Sequence, residues 1–217
     1  IWVEPRSGPH APLQKVFYSD NGSTAVEVAL KLSYEYSRRT RGPGFKPRYL
    51  SLKGAYHGDT VGAVSLGQIP LFHKSYEGLL FRTDAIPAPY CYRCPHNRAR
   101  PERADARSYR RCQWECVRPL EKRLTQAHRD GKPYSAFVFE PRIQGAAGMI
   151  AQPDGWLEKT TRLAREHGAQ LIADEVMTGF GRTGIQRGVS PFACGQEGIQ
   201  PDFLCLAKGL AGGDMPL

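Results

Sequence analysis

Apolar residues along this chain fall into two rhythms. Short runs of strand length, Val16–Tyr18, Arg48–Leu52, Ala136–Phe139 and Leu171–Ala173, are bounded by Gly, Pro, Asn, Asp and Ser. Between them lie stretches of helical composition: Ala25–Arg39, about Glu115–His128, and about Gly155–His167, where Trp156, Leu157, Leu163 and Ala164 recur at helical spacing. Arg38 and Arg39 with Gly42-Pro43-Gly44 beyond stop the first helix, Asp130-Gly131 the second and Gly168 the third. Strands alternating with helices predict an α/β fold with a doubly wound, mostly parallel sheet. No segment repeats another.

Two stretches organise the rest. Gln170–Thr183 is an apolar run that closes on Asp174 and Glu175 and then breaks into glycines, and Asp202–Gly209 ends a second run on Lys208. Ligands of parallel α/β sheets collect at the carboxyl ends of the strands. Asp174 and Lys208, thirty-four positions apart, are therefore expected to face one crevice, with Glu140 at a third strand end. The turn Asn21-Gly22-Ser23-Thr24 offers unpaired amides, hydroxyls and the positive end of a helix dipole. It reads either as an ordinary N-cap or as a phosphate site. Tyr56, on a turn between glycines, either packs under its own loop or lies flat on a planar ligand. Phosphate cradle, stacking ring, carboxylate and lysine together are the contacts that pyridoxal 5′-phosphate requires.

Composition narrows the class. Hydrophobic content of 41% and charged content of 24% are those of an ordinary globular protein. No apolar run approaches the length of a membrane span, and the opening Ile1–His10 lacks a signal-peptide pattern, so a cytoplasmic protein is expected. The chain does not begin with Met and ends shortly after Lys208, which suggests an internal part of a longer protein. Of the formal charge of +9, Arg98–Arg111 supplies +4, from six arginines against Glu102 and Asp105. Charge concentrated in this way reads as a solvated loop and not as a nucleic-acid face. Six cysteines without a secretory signal point to a reducing compartment. Within the Pro- and Arg-rich segment Phe81–Pro119, Cys91-x-x-Cys94 and Cys112-x-x-x-Cys116 could hold a tetrahedral zinc. The second spacing is one residue wider than the commonest ribbon pattern, and the expected state is free thiols on a surface excursion.

The motifs D-E-V-M-T-G-F-G-R-T-G (174–184), L-C-L-A-K-G-L (204–210), N-G-S-T-A-V-E-V-A-L-K (21–31) and Y-H-G-D-T (56–60) resemble those of class III pyridoxal-phosphate aminotransferases. With E-P-R-I-Q-G-A-A-G-M (140–149), they look most like the branch of that class that acts in biotin synthesis. The resemblance implies the large domain of a fold-type I transferase, with a mostly parallel sheet and helices on both faces. It would occupy 1–217, incomplete, with a Cys/Arg-rich insert at about 88–118; an N-terminal segment and a C-terminal small domain would lie outside. The implied reaction moves the amino group of S-adenosylmethionine onto 8-amino-7-oxononanoate to give 7,8-diaminononanoate. The implied assembly is a homodimer, and neither nucleic acid nor membrane is an implied partner.

By the same resemblance, Lys208 would bind the cofactor covalently and shuttle the proton, and Asp174 would hold the pyridine nitrogen protonated. Gly22 and Ser23 would bind the phosphate, while Tyr56 and Val176 would pack against the two faces of the ring. Tyr56, Asp59 and Arg182 would select the substrate, and Glu140 would support its strand end. Two departures from the pattern stand out: Arg142 replaces a residue that is usually apolar, and the stretch Ile185–Pro191 is longer than usual. Other class III enzymes, acting on ω-amino acids, diamines or lysine-type donors, share the same catalytic set. A zinc-stabilised basic module binding nucleic acid is a remoter reading, which leaves Asp174 and Lys208 unexplained.

Overall fold

The computed structural model describes residues 2–3, 13–67, 69–99, 107–108, 110–184, 190–212 and 214. Much of the basic run Arg98–Arg111 and most of the long stretch after Gly184 lie outside the described residues. In chain order the elements are β1 (Trp2–Val3), β2 (Lys15–Val16), α1 (Gly22–Arg41), β3 (Tyr49–Leu52), α2 (Val61–Leu66), α3 (Pro70–His73) and β4 (Asp84–Ile86). They continue with α4 (Arg118–Arg129), β5 (Ala136–Phe139), β6 (Ile143–Gln144), β7 (Ile150–Ala151), α5 (Trp156–Glu166), β8 (Gln170–Asp174), α6 (Ala193–Gln196) and β9 (Phe203–Cys205).

The main sheet runs β2-β1-β9-β8-β5-β3-β4. Every pairing from β9 to β4 is parallel, and β1 joins antiparallel to both β9 and β2. β6 and β7 form a separate antiparallel pair. The chain goes from β3 out to β4 and then returns to β5 on the other side of β3. This reversal leaves a crevice outside the carboxyl ends of β3 and β5.

Alternation along each strand makes two cores. Leu50, Leu52, Phe137, Phe139, Leu171, Ala173 and Leu204 face α4 and α5, meeting Leu120, Leu124, Trp156, Leu157 and Ala164. Their neighbours Tyr49, Ala136, Val138, Ile172, Phe203 and Cys205 face α1 and α2, meeting Ala25, Val26, Ala29, Leu30, Ala63 and Leu66. A sheet covered on both sides explains why its strands read as continuous apolar runs. Complete burial of a side chain such as Phe137 or Leu171 stabilises the fold by about 1.5–3 kcal/mol.

Element ends differ from the sequence reading for local reasons. α1 starts at Gly22, ahead of Ala25, because Asn21 and Thr24 form a reciprocal cap: Thr24 N–H donates to Asn21 Oδ1 (3.0 Å) and Asn21 N–H to Thr24 Oγ1 (2.9 Å). α4 starts at Arg118, after Glu115, since Pro119 takes one of its first two positions and turns precede it. The run Val16–Tyr18 yields only the two-residue β2, with Phe17 and Tyr18 exposed. No helix of the described residues is long and apolar enough to cross a membrane.

Candidate active site

Four adjacent strands deliver polar groups to one rim. Tyr56 and His57 follow β3, Glu140 follows β5, Asp174 closes β8, and Lys208 follows β9. The alternation that built the two cores also sorts the Asp174-Glu175 pair. Ala173 faces α5, so Asp174 turns to the α1 side and Glu175 turns back. Buried Glu175 then accepts the amides of Ala193 (2.7 Å) and Cys194 (2.7 Å) at the start of α6, a structural duty. Glu140, after Phe139, falls on the same side as Asp174 by the same rule.

A cavity of about 730 Å³ opens at this rim and is lined by Asn21, Gly22, Ser23, Tyr56–Thr60, Glu140, Asp174, Val176, Met177, Ala207 and Lys208, among others. Eight residues singled out in the sequence therefore meet here: Gly22, Ser23, Tyr56, Asp59, Glu140, Asp174, Val176 and Lys208. Arg182 does not. It lines an adjoining cavity with Arg107, Arg142 and Met149, and Met177 forms a wall of both. Arg142, the departure from the family pattern, faces Glu197 (3.4 Å) and bonds Gln196, so its charge is held by α6 and its C-terminal neighbour. The four cysteines of the insert lie outside both cavities.

The first turn of α1 makes one wall. Helix geometry leaves the amides of Gly22 and Ser23 without intrahelical acceptors, at the positive end of the dipole. A side chain at Gly22 would put its Cβ 2.8 Å from both Val176 methyls and 3.3 Å from Ala207 Cβ. Ser23 is held from its other side: Thr60 N–H donates to Ser23 Oγ (3.0 Å), and the two hydroxyls share a hydrogen bond of 2.8 Å. Gly58, at φ +114°, lets that loop approach, since a Cβ there would run into Ser23.

Opposite, Asp174 is only 5% exposed. Its Oδ1 accepts Val176 N–H (3.1 Å) and its Oδ2 pairs with His57 Nδ1 at 2.7 Å. His57 is fully enclosed, and its Nε2 has no hydrogen-bond partner among the described residues. Burial lowers the imidazole's pKa, but the hydrogen bond and charge of Asp174, helped by Glu140, outweigh it and leave the pKa raised. Burial, with the like charge of Asp174 adding to it, also pushes the Glu140 carboxyl up to about 7, against the pull of His57 and of the Gly145 and Tyr56 amides. Glu140 in turn accepts the amides of Tyr56 (3.3 Å) and Gly145 (3.0 Å), fixing two rim loops. Sequence reasoning missed His57 as a site residue. The signal was present in Y-H-G-D-T, where His57 follows the ring residue on a glycine-flanked turn.

Tyr56 Oη donates to Asp59 Oδ2 (2.8 Å), so the ring residue and the entrance carboxylate form one unit. Lys208 is exposed at the rim and has φ +48°, a left-handed conformation uncommon for a side-chain-bearing residue. Such a backbone at a rim lysine is an arrangement typical of functional sites.

The residues present fit pyridoxal phosphate. The Gly22–Ser23 amides suit a phosphate, the enclosed Asp174 suits a ring cation, and the glycine at 22 keeps open a wall that any Cβ would crowd.

Comparison with known proteins agrees with this geometry. The family model "Aminotransferase class-III" matches residues 7–217. A Geobacter sulfurreducens protein named adenosylmethionine-8-amino-7-oxononanoate aminotransferase is 49% identical over 205 residues, covering 94% of this chain and 42% of that protein. A Methanocaldococcus jannaschii protein of the same name has a crystal structure that matches with TM-score 0.70 at 34% identity, over 91% of this chain and 39% of that one. The crystal structure of an amine transaminase from an uncultivated Pseudomonas species, in its PLP-bound form, matches with TM-score 0.75 at 35% identity, over 91% of this chain and 41% of that one. The chain thus spans about two fifths of the length of the relatives it matches. Its sequence, its sheet order and the residues gathered at its strand ends agree: the chain belongs to the class III aminotransferase family.

Proposed function

We propose that this chain carries the cofactor-holding part of a pyridoxal-phosphate aminotransferase of biotin synthesis, moving the amino group of S-adenosylmethionine to 8-amino-7-oxononanoate. The observation that carries the reading is the meeting of Asp174, Lys208, Tyr56 and the first turn of α1 around one cavity. The relatives' shared name supports the choice of substrates.

Pyridoxal phosphate, when bound, would supply an electron sink for the bond broken next to the transferred nitrogen. The chain's own residues do the rest. Gly22 and Ser23 would anchor the phosphate through backbone amides. Asp174, held in place by His57, would accept a hydrogen bond from the pyridine nitrogen and keep that nitrogen protonated. Lys208 would bind the cofactor aldehyde carbon and carry a proton to and from the substrate carbon. Tyr56 would cover one ring face and Val176 the other. Asp59, beside Tyr56, and Arg182, beyond Met177, would meet the substrate's charged ends. The working enzyme would be a cytoplasmic homodimer, in which other parts of the full-length protein complete the substrate pocket.

In the full-length protein, Lys208→Ala should lower formation of 7,8-diaminononanoate by at least about 10²–10⁴-fold. It should also let the cofactor wash out on desalting. Retention of both the cofactor colour and near-normal turnover would remove Lys208 from its role. Normal half-reactions with ω-amino acids, and none with S-adenosylmethionine, would favour another class III activity.

A further inference from the structure

The insert between β4 and α4 carries chemistry that the aminotransferase reading does not use. Its four cysteines are free, Cys91 buried and Cys94, Cys112 and Cys116 half-buried. Cys91–Arg93 forms a short 3-10 turn in which Cys94 N–H donates back to Cys91 O (3.4 Å). The two cysteine pairs are then pinned together at the neck of the excursion. Arg98 N–H donates to Arg111 O (2.9 Å). Asn97 ties both sides at once: its Nδ2 donates to Cys91 O (3.0 Å) and its Oδ1 accepts Arg111 N–H (2.8 Å). Cys94 and Cys112 therefore flank one closed neck, although seventeen residues separate them in sequence.

We propose that Cys91, Cys94, Cys112 and Cys116 form a tetrathiolate site for one structural zinc ion, which staples this neck at the crossover from β4 to α4. Four thiolates around a divalent ion carry a net charge of −2, and the sequence Arg98–Arg111 that links the two pairs carries +4. Arg110 is set to balance that charge. Its Nη1 donates to Cys112 O (2.9 Å) and lies 3.5 Å from Cys112 Sγ, while its guanidinium rests 3.7 Å from the centre of the Trp114 ring. Arg110 thus has a local purpose other than binding an external polyanion.

Each thiol would give its proton to solvent on ligating the ion. Among the described residues no three such side chains yet converge in metal-holding geometry. The thiols must therefore turn inward to reach the Zn–S distance of about 2.3 Å.

The test uses the full-length protein, purified without added metal or chelator. Elemental analysis should find about one zinc per chain. Four thiols should resist a thiol reagent until a strong chelator is added. Cys112→Ser/Cys116→Ser should lose the zinc, whereas Cys194→Ala, altered at α6, should keep it. Replacing zinc by Co²⁺ in the wild type should give thiolate-to-cobalt charge-transfer bands, a readout that does not depend on how the double variant folds. A folded wild type that holds no zinc and takes none up from added Zn²⁺ overturns the proposal. So does zinc retained by the double variant, cobalt bands without sulfur character, or a disulfide between any of the four.

Discussion

Around the sheet rim, residues from positions 22 to 208 meet in one cavity, whereas the chemistry of the insert lies between positions 91 and 116. The rim is assembled by parallel topology: each strand end adds one group, and no group could be moved without moving a strand. Its buried carboxylates are partnered, Asp174 with His57 and Glu140 with the amides of Tyr56 and Gly145. The cysteine neck of the insert is pinned by backbone turns and by the side-chain amide of Asn97, and Tyr92, Arg93 and His96 stay in solvent. Catalytic geometry in this molecule is carried by contacts between strand ends, while the cysteine neck of the insert is held by its own turns and, on our proposal, by a metal, with Arg107 tying the insert to Asp154 and Glu197.

Substitutions should separate the two regions. The largest effect is expected for Asp174→Asn, which keeps the shape but removes the charge facing the cofactor. Turnover in the full-length enzyme should fall by about 10²–10³-fold. Steady-state kinetics with the cofactor at saturation checks this, and a loss under tenfold would break the claim that the rim's charge matters more than its shape.

Gly22→Ala comes next. Its Cβ would press on Val176 at 2.8 Å, an overpacking that costs about 1–3 kcal/mol. Cofactor affinity should weaken by roughly 5- to 150-fold, readable as an increased Kd in a fluorescence titration. An unchanged Kd would mean that this wall relaxes to admit the methyl group.

A subtler effect sits in Glu140, whose pKa is raised from 4.5 to about 7 in the fold. The protonated form is the one the fold favours, so its stabilisation is complete below about 4.5 and is lost as pH rises through about 7. Urea unfolding of the cofactor-free protein across that range should show stability falling with pH, and Glu140→Gln should flatten that part of the curve. The smallest effect belongs to the insert: Arg93→Ala, at an exposed position, should leave turnover within about twofold, as surface changes away from partners do. A large loss would mean that the cysteine end of the insert, and not only Arg107, reaches the substrate side of the site.

Much of the rim was legible in the sequence. Apolar runs closing on Asp174 and Lys208 announced parallel strands, and the turns at Asn21–Thr24 and around Tyr56 marked candidate phosphate and ring contacts. The reading fell short where a residue's partner is distant in sequence. His57 looked like a loop residue because Asp174 lies 117 positions away. Arg182 looked like a neighbour of Asp174 in sequence, yet Met177 comes between their cavities. Glu175 looked equivalent to Asp174 until the two-residue period sent it to the other side of the sheet.

What the sequence determined alone was local: which segments are strands and helices, and which residue types end each strand, because hydrophobic period and turn chemistry act over a few residues. What only the tertiary structure decided was company. The order β9-β8-β5-β3 chose which strand ends share a cavity, and the pinched neck at Asn97 brought the cysteine pairs together, since neither distance is encoded by any short-range rule.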